Sequence, residues 1–262
     1  MDTKEAGIPK ENPHEVFRQT MEISKQAMYA LVDFSIQNGV PPQQFSHISR
    51  VFEEDGHVLL PPIENMRAAL VKVHGPTDRA MRTRALTTRK TGQVFVPEEQ
   101  ADSVHDVLHE STHRAAWLKD RELGLSINTT NIAIQLASRF GVTITADGKV
   151  DPNSDYIKRM AQNEEERENL IQFFTETLKA ETPKVTEAIT EWVTQKANGV
   201  VTKEGKKIIL AEEDMAYDDE VRYANEIRVR MMQQNGLTQE TVDAKLITAA
   251  LTGDINELIP HL

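Results

Sequence analysis

Apolar residues recur three and four positions apart along most of the chain, the spacing of helices with one buried face. The first such run is His14 to Gln37, with Val16, Phe17, Met21, Met28, Leu31, Val32 and Ile36 on its stripe. Asn38-Gly39 and Pro41-Pro42 end it. Ile63 to Val73 predicts a short helix closed by Gly75-Pro76, and Asn131 to Phe140 another, closed by Gly141. Tyr156 to Ala197 predicts two or three helices with breaks near Asn163 and at Pro183. Glu212 to Gln234 predicts a long helix stopped by Asn235-Gly236, and Thr238 caps the next.

The period shortens to two in four places, each around a turn signal. Hairpins are expected over Ser49–Leu60 with Asp55-Gly56 as the turn, Ala85–Val96 around Lys90-Thr91-Gly92, Val142–Val150 over Asp147-Gly148, and Val200–Leu210 through Glu204-Gly205-Lys206. The fold class is therefore α+β and predominantly helical, with a small antiparallel or mixed sheet. Residues 1–13 are polar, carry two prolines and are expected to be a flexible lead-in. Residues 14–262 are expected to form a single domain with a helical insert at about 150–198.

Composition narrows the classes. Thirty basic against 41 acidic residues leave a formal charge of -11, which argues against nucleic acid and anionic membranes as partners. Cysteine is absent, so neither a disulfide nor a thiolate metal site is available. The polar N-terminus has no apolar segment of signal-peptide type, and no run is long enough for membrane insertion. A cytoplasmic protein, or one exported without a cleavable signal, is expected.

The chemistry concentrates in Ser103–Lys119, SVHDVLHESTHRAAWLK. Val104, Val107, Leu108, Ser111, Ala115 and Leu118 give it a helical face, and Pro97-Glu98-Glu99 reads as the helix start. Within it, His109 and His113 lie one turn apart, where both imidazoles reach one Zn2+ ion. Glu110 then stands beside a metal-activated water as general base. Ala116 and Lys119 occupy the positions where one large group of zinc peptidases carries glycine and its third histidine, so the third ligand here is a carboxylate from elsewhere. Glu220, along the edge of the Val221, Ala224, Ile227 and Met231 face, is the first choice; Glu122, Asp219 and Glu226 remain alternatives. His105 extends the histidine stripe by one turn, as a support or a partner for Asp106. Tyr223 is a candidate oxyanion donor or a core tyrosine, and Arg222 and Arg228 are further donors or ion-pair partners.

HESTH on a helix, followed by a glutamate on a later helix, resembles the gluzincin type of zincin metallopeptidase. The resemblance covers residues 85–120 and 212–235. It implies a mixed sheet beside the motif helix, zinc held by His109, His113 and Glu220, and Glu110 as general base. It also implies an extended protein substrate paired to the strand Gln93, Val94, Phe95 and Val96 as a sheet edge. Asp106 and Arg114 depart from the family's usual residues on either side of the motif. The small size and absent signal are similar to bacterial effector and toxin-like zincins, which act on host proteins. The alternative is a catalytically inactive zincin-like scaffold that binds a partner protein.

Overall fold

A computed structural model describes residues 12–53, 58–77, 83–126, 128–203 and 218–262. Helices dominate it. The first, α1 (Pro13–Gln37), has Asn12 as its N-cap, accepting from the His14 amide, and buries Ala27, Met28, Leu31 and Val32. A single turn, α2 (Arg50–Glu53), and the helix α3 (Ile63–His74) follow. The motif helix α4 runs Val104–Glu122, α5 Asn131–Arg139 and α6 Asp155–Met160. The longest helix, α7 (Glu164–Lys203), precedes α8 (Asp218–Asn235) and α9 (Gln239–Thr252). Helix α9 is buried on nearly every side from Val242 to Thr252, the mark of a central core helix. Helices α1, α4, α7 and α8 pack around it, and one apolar cluster joins them all.

The sheet has three short strands in the order β1 (Val58–Leu59), β3 (Val94–Phe95), β2 (Leu86–Thr87). Strand β1 runs parallel to β3, and β2 is antiparallel to it, with Leu86 opposite Phe95 and Thr87 opposite Val94. Val94 and Val96 meet Val107 of α4 in a second, smaller core beneath the sheet.

Several expectations need correction. Ser49–Leu60 is not a hairpin: residues 50–53 are helical and Val58–Leu59 pairs with the distant β3. Its turn at Asp55-Gly56 lies outside the described residues. The motif helix starts at Ser103, whose hydroxyl accepts from the Asp106 amide, while residues 98–100 form a separate 3₁₀ turn. Pro183 does not break α7. The helix passes through it, costing one backbone hydrogen bond, because residues 185–197 are held almost continuously by packing. The stretch 150–198 is largely helical as expected, and its long helix packs into the main core. Residues 200–203 continue α7; the remainder of the expected fourth hairpin lies outside the described residues, as do residues 1–11.

The hairpin around Lys90-Thr91-Gly92 forms as expected and is clamped to α4. Arg114 is 1% exposed, and its guanidinium donates to the carbonyls of Gly92 (2.6 Å) and Val51 (3.3 Å). Trp117 donates from Nε1 to the Arg89 carbonyl at 2.8 Å. The arginine after the second histidine is thus a tie between motif helix, hairpin and α2. Gly92 has φ +64°, and a Cβ there would stand 2.5 Å from the Trp117 ring. Gly92→Ala therefore combines a left-handed alanine with a clash, and is expected to cost about 2–4 kcal/mol in urea unfolding.

His47 offers a second test. It is fully buried, its Nε2–H donates to the Leu251 carbonyl at 2.9 Å, and its Nδ1 has no partner. Burial pushes its pKa below the ordinary 6.5, which outweighs the raising effect of that carbonyl. The unfolded chain then takes up a proton that the folded chain refuses as pH falls below about 6.5, so folding stability declines there. His47→Gln keeps a donor without a titrating ring. The stability difference between the two proteins should be constant above pH 7 and shift in favour of His47→Gln below pH 6.

Candidate metal centre

Two helices build the site. On α4, His109 and His113 present their Nε2 atoms 3.0 Å apart. On α7, Glu187 brings Oε2 to 3.4 Å from each of them. These three atoms form one group suited to a metal ion. Tetrahedral zinc with bonds of about 2.0–2.1 Å has ligand–ligand edges of about 3.3 Å. The observed edges of 3.0, 3.4 and 3.4 Å fit that ion without rearrangement. Among the described residues this group offers three ligand atoms, one fewer than a tetrahedral ion takes.

One turn along α7 lies Glu191, with a side chain that is completely buried. Its Oε2 is 3.1 Å from His109 Nδ1 and 3.2 Å from His105 Nε2, and its Oε1 accepts from Gln195 Nε2 at 3.0 Å. An ionised carboxylate only accepts, so His109 carries a proton on Nδ1 toward Glu191 and turns Nε2 to His113 and Glu187. His105, His109 and Glu191 form the second metal-capable group. The two groups share His109, which turns a different ring nitrogen to each.

The electrostatics follow from burial and pairing. Burial alone would push His109 down, but Glu187, Glu191 and Glu110 outweigh it and hold the ring well above the ordinary imidazole range. Burial would likewise raise Glu187 and Glu191, yet the histidines pull both down, Glu191 to about 2. Glu110 differs. Its carboxyl is raised, because burial exceeds the opposing pull of His113, His109 and the Thr87 hydroxyl. Thr87 on β2 lies 2.7 Å from Glu110 Oε2 and 2.9 Å from the Glu110 carbonyl oxygen, its one proton shared between them.

The expected residues are thus only partly assembled. His109, Glu110 and His113 come together. Glu220 does not join them: it sits partly exposed in the first turn of α8, outside both metal-capable groups, and Glu187 occupies the place expected for it. Of the alternatives, Glu122 pairs with Arg50 and Lys119, Asp219 with Arg222, and Glu226 with Arg230. Tyr223 rests half-buried against the main core with Lys184 Nζ 4.7 Å from its ring centre. Burial and the nearby Glu181 raise its phenol pKa. The expected substrate strand is also corrected. Residues Val94 and Phe95 form the central strand, paired on both sides, with Gln93 and Val96 flanking them. The strand at the edge next to the motif is β2. Asp106, buried beside Arg84 at 3.3 Å, accounts for the charged residue before the first histidine.

A signal for Glu187 and Glu191 was present. They repeat the four-residue spacing of the histidines and sit among Val185, Ala188, Ile189, Trp192 and Val193, all buried. Two acids inside an apolar run must meet cations or a metal.

No family model, curated protein or solved structure matches the chain. Among the described residues, no helix is long and apolar enough to cross a membrane.

Thr87 generates a direct test in metal-free protein. Thr87→Val removes a hydrogen bond that favours the charged carboxylate, so the Glu110 carboxyl should titrate at higher pH than in the wild type, read from its carboxyl carbon by NMR. Equal titration in both proteins would show that the hydroxyl does not act on this carboxylate.

Proposed function

We propose that the chain is a zinc-dependent metallopeptidase acting on an extended protein segment. The observation that carries the reading is the trio of His109 Nε2, His113 Nε2 and Glu187 Oε2 at tetrahedral spacing, with the buried Glu110 carboxyl next to His109 in the chain. These three side chains would hold the ion. Zinc, when bound there, supplies a Lewis acid that polarises a carbonyl and acidifies a water.

The chain's own groups supply the rest. Glu110 accepts the proton of the attacking water and returns it to the leaving amine, for which a carboxyl raised by burial suits both halves of the transfer. Thr87 restrains that carboxylate from the edge strand. Glu191 fixes the ring of His109, and His105 and Gln195 occupy the rest of its hydrogen-bonding capacity. The outer side of β2 has no strand partner among the described residues, so an extended peptide added there would run past Glu110.

Metal content and hydrolysis test this reading together. The purified protein should carry about one zinc per chain by mass spectrometry. His113→Ala and Glu187→Ala should lose it, whereas Glu220→Ala should retain it. Glu110→Gln should keep the zinc and lower hydrolysis of an unstructured protein such as casein by about 10²–10⁴-fold. A zinc-free wild type, or full zinc in Glu187→Ala, overturns the assignment.

A further inference from the structure

Beyond the histidine site, α7 and α8 border an open, shallow cleft of about 280 Å³ lined by Trp192, Gln195, Lys196, Val221, Asn225 and Arg228. None of these six is acidic, in a chain of net charge -11. Beneath the two cations lies Asp243, 1% exposed, whose Oδ2 accepts from Lys196 Nζ at 2.7 Å and whose Oδ1 accepts from Arg228 Nε at 2.5 Å. Among the described residues one carboxylate thus balances two cations, which leaves a positive charge over.

The donors also exceed the acceptors. Lys196 has three N–H groups and Arg228 five, and each uses one on Asp243. Asn225 accepts from Trp192 Nε1 through its Oδ1 at 3.0 Å, which directs its Nδ2 donors away from the indole. Lys196 Nζ and Arg228 Cζ each lie 5.9 Å from the Trp192 ring centre, so the indole attracts both cations. The two side chains are only 25% and 17% exposed, which limits how well water alone can replace an acceptor.

We propose that this cleft binds a small free oxyanion, a phosphate or a carboxylate, between Lys196, Arg228 and the Asn225 amide. Charge-assisted hydrogen bonds from an ammonium, a guanidinium and an amide are the donor set such an ion requires. The proposal stands apart from the zinc reading, since none of these donors contacts His109, His113 or Glu187.

Asn225→Asp tests it without disturbing the ion triad. The aspartate keeps an acceptor for Trp192 Nε1 and places a carboxylate where the bound anion would sit. The full-length protein is titrated with sodium phosphate and, separately, sodium succinate, each against sodium chloride at equal ionic strength, by calorimetry and thermal melting. Saturable binding of either anion to the wild type is expected, with a rise in Tm that chloride does not give. The preferred anion assigns the site to phosphates or to carboxylates. Asn225→Asp should melt higher than the wild type without any added anion and should bind that anion at least tenfold more weakly. Arg228→Gln should weaken binding as well, but without the rise in Tm. Absence of saturable binding to the wild type, or undiminished binding to Asn225→Asp, overturns the proposal.

Discussion

The pairing of two buried carboxylates on α7 with the histidines of α4 is the constraint on which the rest of the structure depends. Glu191 has no solvent contact, and a carboxylate stripped of water costs several kcal/mol unless cations or strong donors replace it. His105, His109 and Gln195 are that replacement; Gln195 travels with α7, while the present register against α4 supplies the two histidines. A slide of one helical turn would move Glu191 about 5.4 Å, out of its place between His105 and His109, and break the present set of pairs. Apolar packing alone tolerates such slides far better, because one buried methyl group resembles another. The polar pairs therefore set the alignment, while the surrounding valines, leucines and isoleucines supply most of the driving force.

The same helix is fixed a second time from its other side. Asp243 on α9 draws in Lys196 of α7 and Arg228 of α8, which ties three core helices at one buried oxygen pair. Between these two anchors lie only Trp192 to Gln195, so the α7 segment carrying Glu187 and Glu191 is held over little more than two turns. This accounts for the helix running on through Pro183. The loss of one backbone hydrogen bond there, together with the unpartnered Thr182 hydroxyl, is small beside what breaking the helix would forfeit in both anchors. On the opposite side of α4, Arg114 and Trp117 hold the β2–β3 hairpin, which sets Thr87 against Glu110. The site is thus braced from both directions by groups that never touch the metal-binding atoms.

What local pattern can and cannot disclose follows from this arrangement. The motif helix, the first and last helices, the hairpin around Gly92 and the central pair of histidines were all legible, because each depends on residues within a few turns of one another. The predominantly helical α+β class, with a small mixed sheet, was legible for the same reason. Strand β1 was not: Val58–Leu59 pairs in parallel with a strand 36 residues on, and a parallel partner leaves no turn signal beside it. Gln93–Val96 read as an edge because strand order within a sheet is a tertiary property. Glu220 was the first choice because it edges the Val221, Ala224, Ile227 and Met231 face, whereas the approach of Glu187 to the histidines is a tertiary contact that periodicity does not carry. The break expected at Pro183 gave proline its local cost and omitted the long-range packing and pairing that outweigh it.

The charges of the centre are balanced by its own pairing. His109 is held well above the ordinary imidazole range while Glu187 and Glu191 are held far below theirs, so a proton on His109 takes the place of positive charge between the two carboxylates. Folding can then bury these acids without an ion, which avoids the repulsion that empties many anionic cages. The same proton must leave before His109 can act as a ligand, so uptake of a cation is coupled to proton release and grows more favourable as pH rises. Glu191 biases which proton goes. Its oxygen keeps the Nδ1–H in place, and the proton expelled is the one on Nε2, facing His113 and Glu187. Glu191 thereby favours the His109 tautomer with Nε2 turned to His113 and Glu187, and the register of α7 on α4 is what keeps that carboxylate there.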